Sequence, residues 1–290
     1  MGLIMKNVKT LALAATTIAA MSAPAMAADR TDLRAGDYSW MQFNAMYAVN
    51  ELPRDGSTDN GHDYLEMEFG GRAGVVDLYG YVDVFNITNR DYGDKNNGAS
   101  KMFMKFAPRF SLDAITGKDL SFGPVQEVYI STLFNWGGGA IRGTDVNGNE
   151  TNDVNNASIG IGADVMVPWL GKTGMNLYGF YDLNLKEWNG YQFSANWFKP
   201  VMNFDNGSFV SFQGYVDYQF GADEKYGNEF VPQTTSGGAA YFGLHWHSDN
   251  YAVGYGLKAY QDVYLLEDGG GIVGLETTGF AHYFTATYKF

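Results

Sequence analysis

Val75-Val76-Asp77-Leu78-Tyr79-Gly80-Tyr81-Val82-Asp83-Val84-Phe85 decides the fold. Val76, Leu78, Gly80, Val82 and Val84 fall on one face of an extended chain, and Asp77, Tyr79, Tyr81, Asp83 and Phe85 on the other. Successive strand side chains point to opposite faces, so the stretch reads as a strand with one apolar and one polar-aromatic face. The next segment repeats the pattern. Met102, Met104, Phe106, Pro108, Phe110 and Leu112 alternate with Lys101, Phe103, Lys105, Arg109 and Ser111. Further segments of period two begin near Ser39, Tyr64, Val125, Ser158, Met175, Gly190, Phe209, Ala239, Tyr251 and Thr277, twelve in all. None carries a 3.6-residue apolar stripe.

The connectors alternate in length. Short ones hold Gly70-Gly71-Arg72, Thr116-Gly117-Lys118, Leu170-Gly171-Lys172, Asp205-Asn206-Gly207 and Ser248-Asp249-Asn250. Longer ones, polar and rich in Gly and Asn, lie near 51–61, 87–100, 137–156, 222–238 and 262–276, while the one near Lys186–Gly190 is short in a long slot. Up-and-down strands with short turns at one end and long loops at the other describe an all-β chain. The expectation is a single 12-stranded antiparallel transmembrane β-barrel of the outer-membrane type, with both termini on the periplasmic side. A secreted β-sandwich alternates in the same way. Two features tell against it. The last segment ends the chain with Phe280, Phe284, Tyr288 and Phe290 on one face and Tyr283, Thr285, Thr287 and Lys289 on the other, resembling the outer-membrane assembly signal. Trp136, Tyr191, Trp197, Trp246 and Tyr251 lie near strand ends on the apolar faces, where a bilayer interface suits such rings.

The first 27 residues are set apart from the barrel, which is assigned 28–290. Lys6 and Lys9 precede an apolar run to Met21, and Ala25-Met26-Ala27 supplies a cleavage site, so residues 1–27 read as a secretory signal peptide. Its removal takes two of 19 basic residues and none of 32 acidic ones, leaving a net charge of −15. That charge disfavours nucleic acid as a partner and the approach of phosphate-bearing solutes. With no Cys, disulfide scaffolds and Cys-ligated metals are excluded. Aromatic residues at 16% exclude a disordered chain.

Catalytic and metal motifs fail on context. Gly269–Gly274 matches G-x-G-x-x-G, but Leu275-Glu276-Thr277-Thr278 and then a strand follow where a helix is needed, so it reads as a loop. His245 and His247 share a strand face without an evident third ligand, and His62 and His282 are isolated. No enzyme, cofactor or metal site is expected. Specificity is expected on the polar faces, which line the lumen if the apolar faces meet lipid. They offer Tyr64, Glu66, Glu68, Asp77, Tyr79, Tyr81 and Asp83, then Lys101, Phe103, Lys105 and Arg109, then Glu127 and Tyr129. Later strands add Tyr178, Phe180, Asp182, Phe198, Tyr215, Asp217, Tyr241, Lys258, Tyr260 and Tyr283. Acids beside the basic strand predict cross-strand ion pairs. Inward aromatics either narrow the lumen or stack on a ligand, and stacking is worth roughly 1–3 kcal/mol per base. Carboxylates and Arg among them can bond ring edges and sugar hydroxyls. Tyr79, Tyr81, Phe103 and Tyr129 are expected to form one ladder of rings, with Glu66, Glu68, Asp77, Asp83, Lys105, Arg109 and Glu127 around it. A twelve-stranded lumen should be narrow, suited to one small solute.

Trp40–Asn44, Asp63–Arg72, Asp77–Phe85, Met104–Ser111, Lys118–Glu127, Trp188–Tyr191, Trp197–Pro200 and the end Thr278–Phe280 with Tyr288–Phe290 are words that recur in order in one family. From about residue 38 to 290 the chain resembles the nucleoside-specific channel-forming family, Tsx, and more closely its OmpK relatives of the Gram-negative outer membrane. The resemblance implies a monomeric twelve-stranded barrel in outer-membrane lipid, passive passage of nucleosides, and use of the surface by bacteriophage. Two other readings stand beside it. One is a less selective small-solute porin, and the other is a surface-antigen or phage-receptor barrel with no nucleoside selectivity.

Overall fold

A computed structural model describes residues 34, 36–54, 61–88, 102–138 and 154–290. The signal segment, Lys101 and most of the connectors 87–100 and 137–156 lie outside the described residues. The strands are β1 (Tyr38–Val49), β2 (Gly61–Ala73), β3 (Val76–Phe85), β4 (Met102–Ser111), β5 (Val125–Gly138) and β6 (Asn155–Val167). They continue as β7 (Gly171–Asp182), β8 (Glu187–Asn203), β9 (Phe209–Phe220), β10 (Ser236–His247), β11 (Tyr251–Gln261) and β12 (Gly279–Lys289). Each pairs antiparallel with its neighbour in sequence. β12 closes on β1, from Gln42 opposite Lys289 to Val49 opposite His282, so the sheet is a closed barrel of twelve strands. Closure leaves no unpaired edge, which a sandwich would retain.

Several strands begin earlier than alternation suggests: β6 at Asn155, β7 at Gly171, β8 at Glu187 and β10 at Ser236. Their first residues are Gly, Asn, Ser or charged. Hydropathy does not mark such residues as strand, but the neighbouring strand's ladder extends to them, as Gly171 opposite Val167 shows. A short helix, Leu112–Thr116, sits in the β4–β5 connector, capped by Ser111 and ended by Gly117 in the left-handed region. Five residues are too few to display a helical period.

Face assignment follows the alternation. Ile161 is 65% exposed and Phe280 62% exposed on the outer surface, with Leu244, Val253 and Phe284 similarly bare. This apolar belt is the surface a bilayer would cover. Tyr251, Trp188 and the 92% exposed Trp169 lie at its margins. Inside, one apolar cluster fills the loop end of the lumen. Tyr64, Phe85, Tyr260, Tyr283, Ala48 and Ala281 project inward from the walls, and Leu52 and Val263 tuck in from the β1–β2 and β11–β12 loops. The loops above it are tied. Arg54 and Glu276 exchange backbone hydrogen bonds of 3.1 and 2.9 Å, and their side chains form an ion pair at 2.6 Å. The β9–β10 loop is bound to the β11–β12 loop through Thr234 N–H to Leu265 O at 2.8 Å and Ile272 N–H to Glu229 O at 3.0 Å.

Candidate functional site

Two glycines let large rings lie flat inside the wall. A Cβ on Gly70 would meet the Trp40 indole at 2.8 Å, and one on Gly256 would meet the Tyr241 ring at 2.2 Å. Over Gly70, Trp40 reaches Tyr79 with ring centroids 6.3 Å apart. Tyr79 meets Tyr81 at 6.2 Å, and Tyr81 meets Phe103 at 6.0 Å. These four rings make one ladder along β1, β3 and β4. A second runs along the facing wall. Tyr215 stacks on Tyr241 at 5.8 Å and 15°, Tyr241 meets Tyr283 edge-on at 6.0 Å, and the hydroxyls of Tyr283 and Tyr260 lie 2.7 Å apart.

Inward parity alone assigns Tyr129 to the first ladder. In the structure Tyr129 is 0% exposed. Arg109 lies 4.1 Å above its ring centroid, and its hydroxyl donates to Asp164 at 3.1 Å. The guanidinium between it and the lumen separates it from Tyr81 and Phe103, and Trp40 extends the ladder instead. Asp182 also departs from the expected wall. Its carboxylate accepts the N–H groups of Asn184 and Leu185 at 2.8 and 2.9 Å, so it closes the β7–β8 turn.

The charged residues fall into three sets. Toward the turn end, Arg109 reaches Asp77 at 2.8 Å and Asp164 at 3.0 Å, and Lys172 also holds Asp164, at 2.6 Å. In the same layer Arg72 grips Glu127 through two bonds of 2.8 and 2.7 Å, and Ser111 donates to the same carboxylate. Glu127, Asp77 and Arg109 are thereby engaged with one another's strands. On β2, Glu66 accepts from Asn44 at 2.5 Å, while Glu68 accepts from Gln42 at 2.6 Å and from the Tyr79 hydroxyl at 2.9 Å. Asp83, expected beside them, lies on the inward face of β3 and is buried.

The third set crosses the lumen. Lys105 on β4 meets Asp217 on β9 at 2.7 Å, and Asp217 also accepts from Ser194 at 2.6 Å. Along the barrel β4 and β9 are five strands apart one way and seven the other. Twelve tilted strands would enclose a circle roughly 24 Å across. A Lys and an Asp in contact span only about 13 Å between their Cα atoms. The barrel is therefore flattened at this level, with β4 and β9 facing across its short axis. The β5–β8 side of this strut is packed by buried Leu133, Tyr178 and Phe180, whereas both aromatic ladders lie on the other side. The half-buried rings Tyr79, Tyr81, Phe103, Tyr215 and Tyr241 thus bound one slot.

His245 and His247 line the inward face of β10. The Tyr241 hydroxyl lies 3.1 Å from His245, and Ser211 lies 2.8 Å from His247. Gly269–Gly274 lies in the β11–β12 loop with a strand after it. Alternation does not single out Trp40, nor does it bring the Tyr215–Tyr241–Tyr283 ladder and Lys258 together as one site. The signal available was an inward glycine next to a large ring: Gly70 opposite Trp40, and Gly256 beside Tyr241.

Residues 35–290 match the family described as nucleoside-specific channel-forming protein, Tsx. The chain is 56% identical over 282 residues to the outer membrane protein OmpK of Vibrio parahaemolyticus, covering 96% of this chain and 98% of that protein. It is 27% identical over 304 residues to the nucleoside-specific channel-forming protein Tsx of Klebsiella aerogenes, covering 97% and 99%. It is 28% identical to the protein of that name from Salmonella typhimurium, covering 80% of this chain and 82% of that one.

Proposed function

The chain belongs to the Tsx family of nucleoside-specific channel-forming proteins, and from that premise we propose that it passes nucleosides selectively and passively across the outer membrane. It is an outer-membrane β-barrel channel, and its family is one of channels rather than enzymes. The finer reading is carried by the slot between the two aromatic ladders. A nucleoside has a flat base and a hydroxyl-rich sugar. The base stacks on Tyr79, Tyr81 or Phe103, and Glu66, Glu68 and their amide neighbours accept and donate at its edge and at the sugar. Rungs about 6 Å apart let a solute step from one weak site to the next, which conduction requires. Asp77, Arg109, Glu127 and Tyr129 support the wall in this reading, and Lys105 sets the width. Barrel and lipid suffice for passage, with a monomer as the working unit. The extracellular loops serve as the attachment surface for bacteriophage.

The test is the double variant Tyr79→Ala/Phe103→Ala in planar bilayers. Adenosine should block its current about tenfold more weakly than it blocks wild type, while open-channel current holds or rises because the slot widens. Equal adenosine affinity in the two proteins contradicts the stacking site and favours a general pore.

A further inference from the structure

Lys258, on β11, is the one lumen lysine of the described residues that is surrounded by rings rather than by acid. Its ammonium lies 4.9 Å from the Tyr260 ring centroid, 5.7 Å from that of Tyr215 and 5.7 Å from that of Tyr283. None of the ion pairs among the described residues includes Lys258, although Glu51 and Asp217 attract it from a distance. Asp217 is held by Lys105 and Ser194, and Glu51 lies 2.7 Å from His62. Glu66 and Glu68 sit on β2, separated from β11 by β12 and β1. The rings, and the Tyr215 hydroxyl with which Lys258 shares a hydrogen bond, stabilise the ammonium without neutralising it, so its positive charge stays available to an arriving group. Lys105, 5.5 Å from the Tyr215 centroid, puts a second ammonium near the same ring.

We infer that Lys258 and its three tyrosines form a binding site for the anionic group of a small planar solute, a carboxylate or phosphate attached to a flat ring. The ammonium takes the anion, and the Tyr215–Tyr241 stack takes the ring. The inference goes beyond the nucleoside reading, since nucleosides are uncharged. It also qualifies the expectation drawn from a net charge of −15: the field inside a low-dielectric slot is set by the nearest unneutralised group, not by the sum over the chain. The acids of β2 on the neighbouring wall make the slot polar across its width, so an entering anion is turned toward β11.

The experiment uses the full barrel in planar bilayers, with three probes added to the bath. Benzoate is planar and anionic, cyclohexanecarboxylate anionic but not planar, and benzamide planar but uncharged. Benzoate should block wild type at concentrations about tenfold lower than either of the others. Lys258→Gln should abolish that advantage, and Lys258→Arg should keep it. Adenosine block in the same membranes reports on the nucleoside reading separately. Equal block of wild type by benzoate and benzamide overturns the inference even if no variant folds, and so does a benzoate advantage that survives Lys258→Gln.

Discussion

Replacing Lys105 by Met removes one end of the strut while keeping most of its stem. The pair is neither solvated nor dry, with side chains 17% and 25% exposed. Exposed pairs contribute about 0–1 kcal/mol, and removing one partner of a buried pair costs about 3–5 kcal/mol. Asp217 would keep its 2.6 Å bond from Ser194, so it is not left wholly unsatisfied. The expected loss is about 2 kcal/mol, between those limits. Asp217→Leu should cost a similar amount, and the double variant should cost less than the two together, because only the double variant leaves no stranded charge. Urea unfolding from lipid vesicles, followed by tryptophan fluorescence, measures all three. The strut also holds β4 and β9 together across the short axis, so both single variants should raise open-channel conductance. If each single variant stays within about 0.5 kcal/mol of wild type with unchanged conductance, the pair is not a strut and the flattened slot needs another cause.

Val82→Arg places a charge on the lipid face of β3 and should cost about 2–4 kcal/mol, seen as a lower yield of assembled barrel. Tyr81→Arg, one residue away on the lumen face, should assemble and alter conduction; equal yields would reverse the face assignment. Arg54→Ala breaks the loop-to-loop ion pair with Glu276, whose side chain is 47% exposed. It should change unfolding stability by less than about 1 kcal/mol but speed protease cleavage within 50–60. Epitope tags inserted within 139–153 should be reached by antibody on intact cells and tags at Gly117 should not; the opposite labelling would invert the topology.

The barrel was legible because period two is a local signal. Asp77–Phe85 displays it without any knowledge of its partners, and closure follows once twelve such segments alternate with short and long connectors. Strand ends were not legible at Gly171 or Asn155, where a neighbour's ladder rather than hydropathy extends the strand. The first ladder was legible in part. Tyr79, Tyr81 and Phe103 are neighbours by register, Tyr81 opposite Lys105 and Asp83 opposite Phe103. Tyr129 has the same inward parity, but parity does not reveal that Arg109 lies over its ring. The Lys105–Asp217 contact joins residues 112 apart in sequence on strands that never pair. It depends on the flattening of the barrel, which no local pattern encodes. The tyrosine cage around Lys258 likewise assembles from β9, β11 and β12.

The central claim is that the slot distinguishes flat, hydroxyl-bearing solutes from hydroxyl-bearing ones without a flat ring. The direct measurement is current through single wild-type barrels in planar bilayers while adenosine, thymidine and glucose are titrated in turn. Adenosine and thymidine should reduce the current at low concentration and saturably, and glucose should do so only weakly, at far higher concentration. Equal titration curves for all three would contradict stacking selectivity and leave a general small-solute pore.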